Sequence, residues 1–110
     1  SRHITDRLAM VKAIEQSRFE ITEVVSGTSR GPDTLGESWA LANNIPIKVF
    51  PAEWSKFGNV AGPIRNSEMA KYADAAIILW DGVSKGTLNM IKNMVLRDKP
   101  YFIRMVFDNV

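Results

Sequence analysis

The stretch Ala75-Ala76-Ile77-Ile78-Leu79-Trp80, closed by Asp81-Gly82, decides how the rest of the sequence reads. Six consecutive apolar residues without a polar interruption have the pattern of a parallel strand buried on both faces. The run is far too short to cross a bilayer. Working outward, Ala61 to Tyr72 reads as a helix with Pro63 tolerated in its first turn. Leu88, Ile91 and Val95 mark a helix on the other side, and Tyr101 to Met105 a last strand. Upstream, Ile45 to Phe50 reads as a strand with Pro46 near its start and Pro51 closing it, and Val24-Val25 as a short strand stopping at Ser26-Gly27. Thr34-Leu35-Gly36-Glu37 fits a capping box that opens a helix reaching Asn43-Asn44. Leu8, Val11 and Ile14 recur at helical spacing behind Thr5-Asp6.

The order is therefore α-β-α-β-α-β-α-β, which implies a parallel sheet with right-handed crossovers. A doubly wound domain ordinarily opens with a strand, and that strand is ordinarily central. The expected fold is thus a Rossmann-like three-layer α/β sandwich whose first strand is absent from the sequence, with Ser1-Arg2 as the end of a strand-to-helix turn. A hydrophobic strand ending in Gly is expected ahead of Ser1.

Composition sets the outer limits. The chain has 110 residues, 45% of them hydrophobic, which suits one domain over residues 1–110 with a modest core. Lys and Arg number 14 against 12 Asp and Glu, and the basic residues are scattered among acidic ones. No cationic stripe marks a nucleic-acid backbone as partner, and that class is disfavoured. The absence of cysteine excludes disulfides and thiolate metal sites. No signal-peptide pattern opens the sequence, and a cytoplasmic location without membrane association is expected. A homo-oligomer is compatible with so small a domain. No cluster of His, Asp and Glu has metal spacing, so neither a metal nor a cofactor is expected; His3 reads as a solvated or ligand-edge residue.

All seven glycines fall after a strand or near the start of the next helix, and parallel sheets bind ligands at that edge. In Ser26-Gly27-Thr28-Ser29-Arg30-Gly31-Pro32-Asp33, glycines let backbone N–H groups approach an anion, hydroxyls add donors and Arg30 adds charge. Asp81-Gly82-Val83-Ser84-Lys85-Gly86-Thr87 repeats the recipe. Neither loop is a Walker A or a G-x-G-x-x-G motif. Arg65 and Asn66 sit in the first turns of a helix, a position that disfavours Arg unless an anion or acid compensates the dipole. The expected phosphate-binding set is Ser1, Arg2, Gly27, Thr28, Ser29, Arg30, Gly31, Asp33, Arg65, Asn66, Asp81, Gly82, Ser84, Gly86 and Thr87. Trp54, with Lys56 and Phe57, lies in a loop that either covers a ligand or packs on the sheet edge.

Together, Ser26-Gly27-x-x-Arg30-Gly31-x-Asp33, Gly62-Pro63-Ile64-Arg65-Asn66-x-x-Met69 and Asp81-Gly82-x-Ser84-x-Gly86-Thr87 resemble the YspA-like branch of the SLOG superfamily. Ser1-Arg2 looks like the tail of that family's opening Gly-Ser-Arg. The resemblance implies a Rossmann-like fold that binds nucleotides or nucleotide-derived ligands such as NAD or ADP-ribose. Its relatives include lonely-guy phosphoribohydrolases, which cleave nucleoside monophosphates, and DprA, which binds single-stranded DNA. Against the lonely-guy pattern, Arg65 matches an Arg and Gly86-Thr87 a Gly-Thr, but Met90 stands at the position of the acid. A thioether neither takes a proton from water nor stabilises an oxocarbenium-like centre. Binding of a nucleotide-derived small molecule is therefore the leading expectation. An N-glycosidase drawing on Arg65, Glu37 or Asp81, and a DNA-handling module, are the alternatives. For Asp33 and Glu37, helix N-cap and capping-box roles are the simpler reading.

Overall fold

The computed structural model describes residues 4–106. Helix α1 (Arg7–Ser17) is followed by β1 (Val24–Ser26), α2 (Pro32–Ala42) and β2 (Ile47–Val49). A short α3 (Trp54–Phe57) and a 3₁₀ turn (Gly58–Val60) lead into α4 (Ala61–Tyr72), β3 (Ala76–Trp80), α5 (Lys85–Leu96) and β4 (Tyr101–Met105). The alternation read from the sequence is present, and the bounds of α4 and β4 match it residue for residue.

The strands form two parallel pairs. β1 lies against β2 with Val24 opposite Ile47, and β3 against β4 with Ala76 opposite Tyr101. Among the described residues the two pairs are not hydrogen-bonded to each other, so the sheet is split between β1 and β3. β2 is shorter than its apolar pattern suggested, although Val24 N–H to Pro46 O at 2.9 Å and Phe50 N–H to Ser26 O at 2.8 Å extend its ladder.

Helix starts differ in detail from expectation. Asp6 is itself the N-cap of α1, its Oδ1 accepting the Leu8 and Ala9 N–H groups at 2.9 and 3.2 Å. α2 starts at Pro32 behind Gly31, not at a Thr34 cap. Asp33 therefore lies within the helix, and Glu37 accepts the Ser26 hydroxyl at 2.7 Å instead of closing a capping box. Gly36 falls in the second turn of α2, where a Cβ would meet Val24 Cγ1 at 3.9 Å; the helix seats closely on β1.

The core also rotates two helices relative to their apolar periodicity. In α1 the buried residues are Ala9, Met10 and Ala13, while Leu8 is 59% exposed and Val11 faces solvent. Ile4, Leu35 of α2 and Leu79 of β3 complete that cluster, with Ile14 and Phe102 packed against it. In α5, Asn93 and Met94 are buried while Leu88 and Val95 are exposed. Ala9 and Ala13 are small and Met10 adaptable, and together they fill the interface of α1 with this cluster.

Helix α4 is anchored at its far end by Lys99. The ammonium donates to the carbonyls of Ala70, Lys71 and Ala73 at 2.8, 2.8 and 2.6 Å. A cation on the last carbonyls satisfies orphan acceptors and complements the helix dipole. No helix among the described residues is long and apolar enough to cross a membrane.

Candidate functional site

Two glycine loops and the start of α4 converge. β1 ends at Ser26, β3 at Trp80, and the loops beyond them lead to the N-termini of α2 and α5. Arg65 donates from Nη1 to the Gly27 carbonyl at 2.6 Å and from Nε to Asn66 Oδ1 at 3.1 Å. Asn66, buried, donates from Nδ2 to the Gly86 carbonyl at 3.1 Å and to Asn89 Oδ1 at 3.0 Å. Adjacent residues of one helix thus tie the loop after β1 to the first turns of α5, the helix that follows β3, so both strands end at the same edge.

A side chain at Gly27 would require Arg65 to shift. A Cβ would lie 2.7 Å from Arg65 Nη1 and 2.8 Å from its Cδ. Thr28 takes a positive φ of 62°, its N–H bonded to the Ser26 hydroxyl at 3.0 Å. Asp33 accepts the Ser29 N–H at 3.0 Å. Burial pushes its carboxyl above the usual carboxylate range, against the opposing pull of the Ser29 and Gly27 N–H groups and the Arg65 charge. The Arg65 guanidinium is instead held by uncharged acceptors, the Gly27 carbonyl and Asn66 Oδ1.

The second loop is organised differently. Asp81 accepts the Val83 and Ser84 N–H groups at 2.9 and 2.8 Å and the Ser84 hydroxyl at 2.9 Å. These bonds, the Ser84 N–H foremost, hold the Asp81 carboxyl down at about 2. Gly82 has φ 88°, and a Cβ there would meet Met105 Cε at 3.2 Å. The Trp80 indole N–H reaches the Ser84 carbonyl at 3.2 Å. Asp81 and Gly82 shape this turn and Gly31 starts α2; none of the three lines the cavities below.

A recess of about 290 Å³ lies where α4 and α5 begin, lined by Trp54, Gly62, Pro63, Arg65, Asn66, Lys85, Gly86 and Asn89. Beside it opens a cavity of about 1290 Å³ whose lining includes Gly27, Thr28, Ser29, Arg30, Asp33, Ser84 and Thr87, and also Met90. Most of the expected phosphate-binding residues are thereby brought to one place. Ser1 and Arg2, like His3, lie outside the described residues. Of the candidate catalytic groups, Arg65 is at the recess, Glu37 is engaged with Ser26, and Asp81 is engaged with its own turn.

Asn89 and Lys85 were not legible as site residues. Asn89 also takes both Asn93 Nδ2 contacts, to its carbonyl at 2.9 Å and its Oδ1 at 3.3 Å, so a line of amides runs from Asn66 into α5. The i, i+4 spacing of Asn89 and Asn93 was the available signal. Trp54 is 60% exposed on the rim, with Cη2 3.4 Å from where a Gly62 Cβ would stand. No group of three or more metal-binding side chains occurs among the described residues.

Comparison with known proteins adds one relationship. The Gene 61 protein of Mycobacterium phage D29 is 29% identical over 90 residues, a stretch covering 76% of this chain and 71% of that protein. No family model matches the chain, and no solved structure matches it.

Proposed function

We propose that the chain is a Rossmann-like α/β domain that binds a phosphate-bearing nucleotide or nucleotide-derived ligand at the edge where Gly27, Arg65 and Gly86 meet. The observation that carries this reading is the pair Arg65–Asn66, which bonds to Gly27 of the loop after β1 and to Gly86 in the first turn of α5 beside one recess. Helix N-termini favour anions, and an arginine with donors left over after two hydrogen bonds adds a fork suited to phosphate. Trp54 on the rim offers an apolar face to a base, and Lys85 a second charge. The resemblance to the SLOG superfamily points to the same ligand class. Binding is preferred to turnover because Met90 occupies the acid's place and Glu37 and Asp81 are committed to other hydrogen bonds.

Calorimetric titration of the chain with AMP, ADP-ribose and NAD tests the reading, with chromatography of each mixture for released base. Saturable binding without base release is expected. Trp54→Ala and Lys85→Ala, both on exposed rim residues, should each weaken it by about tenfold, the equivalent of one charge-assisted bond or stacking contact, with the melting temperature held. Lack of binding by all three at millimolar concentration would overturn the proposal. Base release would move the chain to the N-glycosidases, and steeply salt-dependent binding of single-stranded DNA to the DprA-like alternative.

A further inference from the structure

Three asparagines, one in α4 and two in α5, have their amide orientations fixed by neighbours that leave no choice. The two ends of a carboxamide differ in donating and accepting, so a partner able to do only one of these identifies the end it meets. An arginine Nε only donates; that of Arg65 stands 3.1 Å from one end of Asn66, which is therefore the oxygen. A backbone carbonyl only accepts; that of Gly86 lies 3.1 Å from the other end, which is therefore the nitrogen. The same Nδ2 lies 3.0 Å from the Asn89 side chain, so the end of Asn89 it meets is Oδ1. Asn93 gives a second, independent constraint. Its Nδ2 is identified by the Asn89 backbone carbonyl at 2.9 Å and stands 3.3 Å from the same Asn89 Oδ1.

The consequence falls on Asn89. With its oxygen held from two sides, a flipped amide would set donor against donor twice. Its Nδ2 is the remaining end, and among the described residues that nitrogen makes no hydrogen bond. Asn89 is half-buried and lines the recess of about 290 Å³. The other charged side chains around the recess are also donors. Arg65 engages Nη1 and Nε with Gly27 and Asn66, which leaves Nη2, 3.9 Å from where a Gly62 Cβ would stand. Lys85 is exposed on the rim, and among the described residues no Asp or Glu lines the recess. The cavity of about 1290 Å³, by contrast, has Glu20, Glu23, Asp33 and Asp74 in its walls. A recess whose side chains offer donors and no free acceptor suits a group that carries acceptors alone.

We infer that Asn89 is the specificity-determining residue of this recess: its locked carboxamide presents Nδ2, beside Arg65 Nη2 and Lys85, to the oxygens of a phosphate monoester. A ligand group that must itself donate meets a donor there and is rejected. The inference rests on the reading of this edge as a ligand site. To that reading it adds where the anionic end of the ligand goes, between α4 and α5 and not in the larger, acid-walled cavity.

Inorganic phosphate, AMP and adenosine are the probes, titrated by NMR into the isotope-labelled chain and into Asn89→Asp. The aspartate keeps the acceptor that Asn66 and Asn93 need, and replaces the donor by a second, negatively charged acceptor. In the parent, phosphate and AMP should move the Asn89 Nδ2 proton resonances, and adenosine, which lacks the phosphate, should not. Asn89→Asp should weaken phosphate and AMP binding by about tenfold or more, the equivalent of one charged hydrogen bond, with the melting temperature held. Equal affinity of parent and Asn89→Asp for phosphate would overturn the inference. So would phosphate shifts confined to the Thr28 and Ser29 amides, or adenosine shifts at Asn89 Nδ2 equal to those of AMP. If Asn89→Asp does not fold, the parent's side-chain shifts decide alone. Phosphate held at Asn89, with AMP, ADP-ribose and NAD binding no more tightly than phosphate, supports the inference and removes the nucleotide reading. AMP bound with Asn89 Nδ2 unmoved does the reverse, and binding of none of these probes overturns both.

Discussion

Arg65 Nη1 donates to the carbonyl of Gly27 at 2.6 Å across 38 residues of sequence, and the space that contact occupies is the space a Gly27 side chain would need. One contact therefore couples the loop after β1, the Arg65 side chain of α4 and the space open to residue 27.

Gly27→Ala should destabilise the protein by about 1–3 kcal/mol through overpacking against Arg65. Arg65→Ala alone should cost about 1.5–3 kcal/mol for a lost charged hydrogen bond. In the double variant the clash has nothing to meet, so the two costs should fall short of additive by at least about 0.5 kcal/mol. Urea melts of the four proteins check this, and strict additivity would mean that the two residues do not constrain each other.

Lys99→Met keeps the aliphatic stem but removes three hydrogen bonds from the end of α4. A loss of about 1–2 kcal/mol is expected from the helix-terminus and charged hydrogen-bond contributions combined. Amide exchange should quicken first at Tyr72 and Ala73. An unchanged melt would show that water replaces the ammonium at no cost.

The Asp81 carboxyl should titrate near 2, well below its ordinary 3.8, and the amide shifts of Val83 and Ser84 should move with the same midpoint. A depressed carboxylate stabilises the fold fully above about 3.8, and the contribution disappears as pH falls through about 2. Carbon-detected NMR titration reads both. A midpoint near 3.8 would mean the turn does not hold the carboxylate in solution.

Asp33 behaves in the opposite sense. Its carboxyl is raised by burial, so the folded state binds the proton more readily than the unfolded one. The resulting penalty is complete above the raised value and vanishes below 3.8. Asp33→Asn retains an acceptor for the Ser29 N–H. It should be at least as stable as the parent at pH 7, with the difference shrinking as pH falls toward 4. Removing this carboxylate from beside Arg65 should also tighten AMP binding at pH 7. Weaker binding would place Asp33 among the groups that hold the ligand.

Much of the architecture lay in local pattern. Ala75 to Trp80 read as a buried parallel strand, and β3 occupies Ala76–Trp80. Ala61 to Tyr72 read as a helix because a proline is tolerated in a first turn, and α4 has those bounds. Helix faces were less legible. Leu8 and Val11 are the larger apolar residues of α1, yet Ala9, Met10 and Ala13 are buried, because distance to β3 rather than hydrophobicity decides which side packs. The capping box at Thr34 failed because Pro32 starts α2 earlier and the Ser26 hydroxyl claims Glu37.

The sequence by itself determined that strands and helices alternate and that glycine loops follow the strands, since these depend on residues near one another in the chain. Only the tertiary structure decided that Arg65 meets Gly27, that Asn66 meets Gly86 and Asn89, and that β1 and β3 stand apart. Those contacts join residues 20 to 38 positions apart, and no periodicity encodes them. They follow from how the helices settle on the sheet.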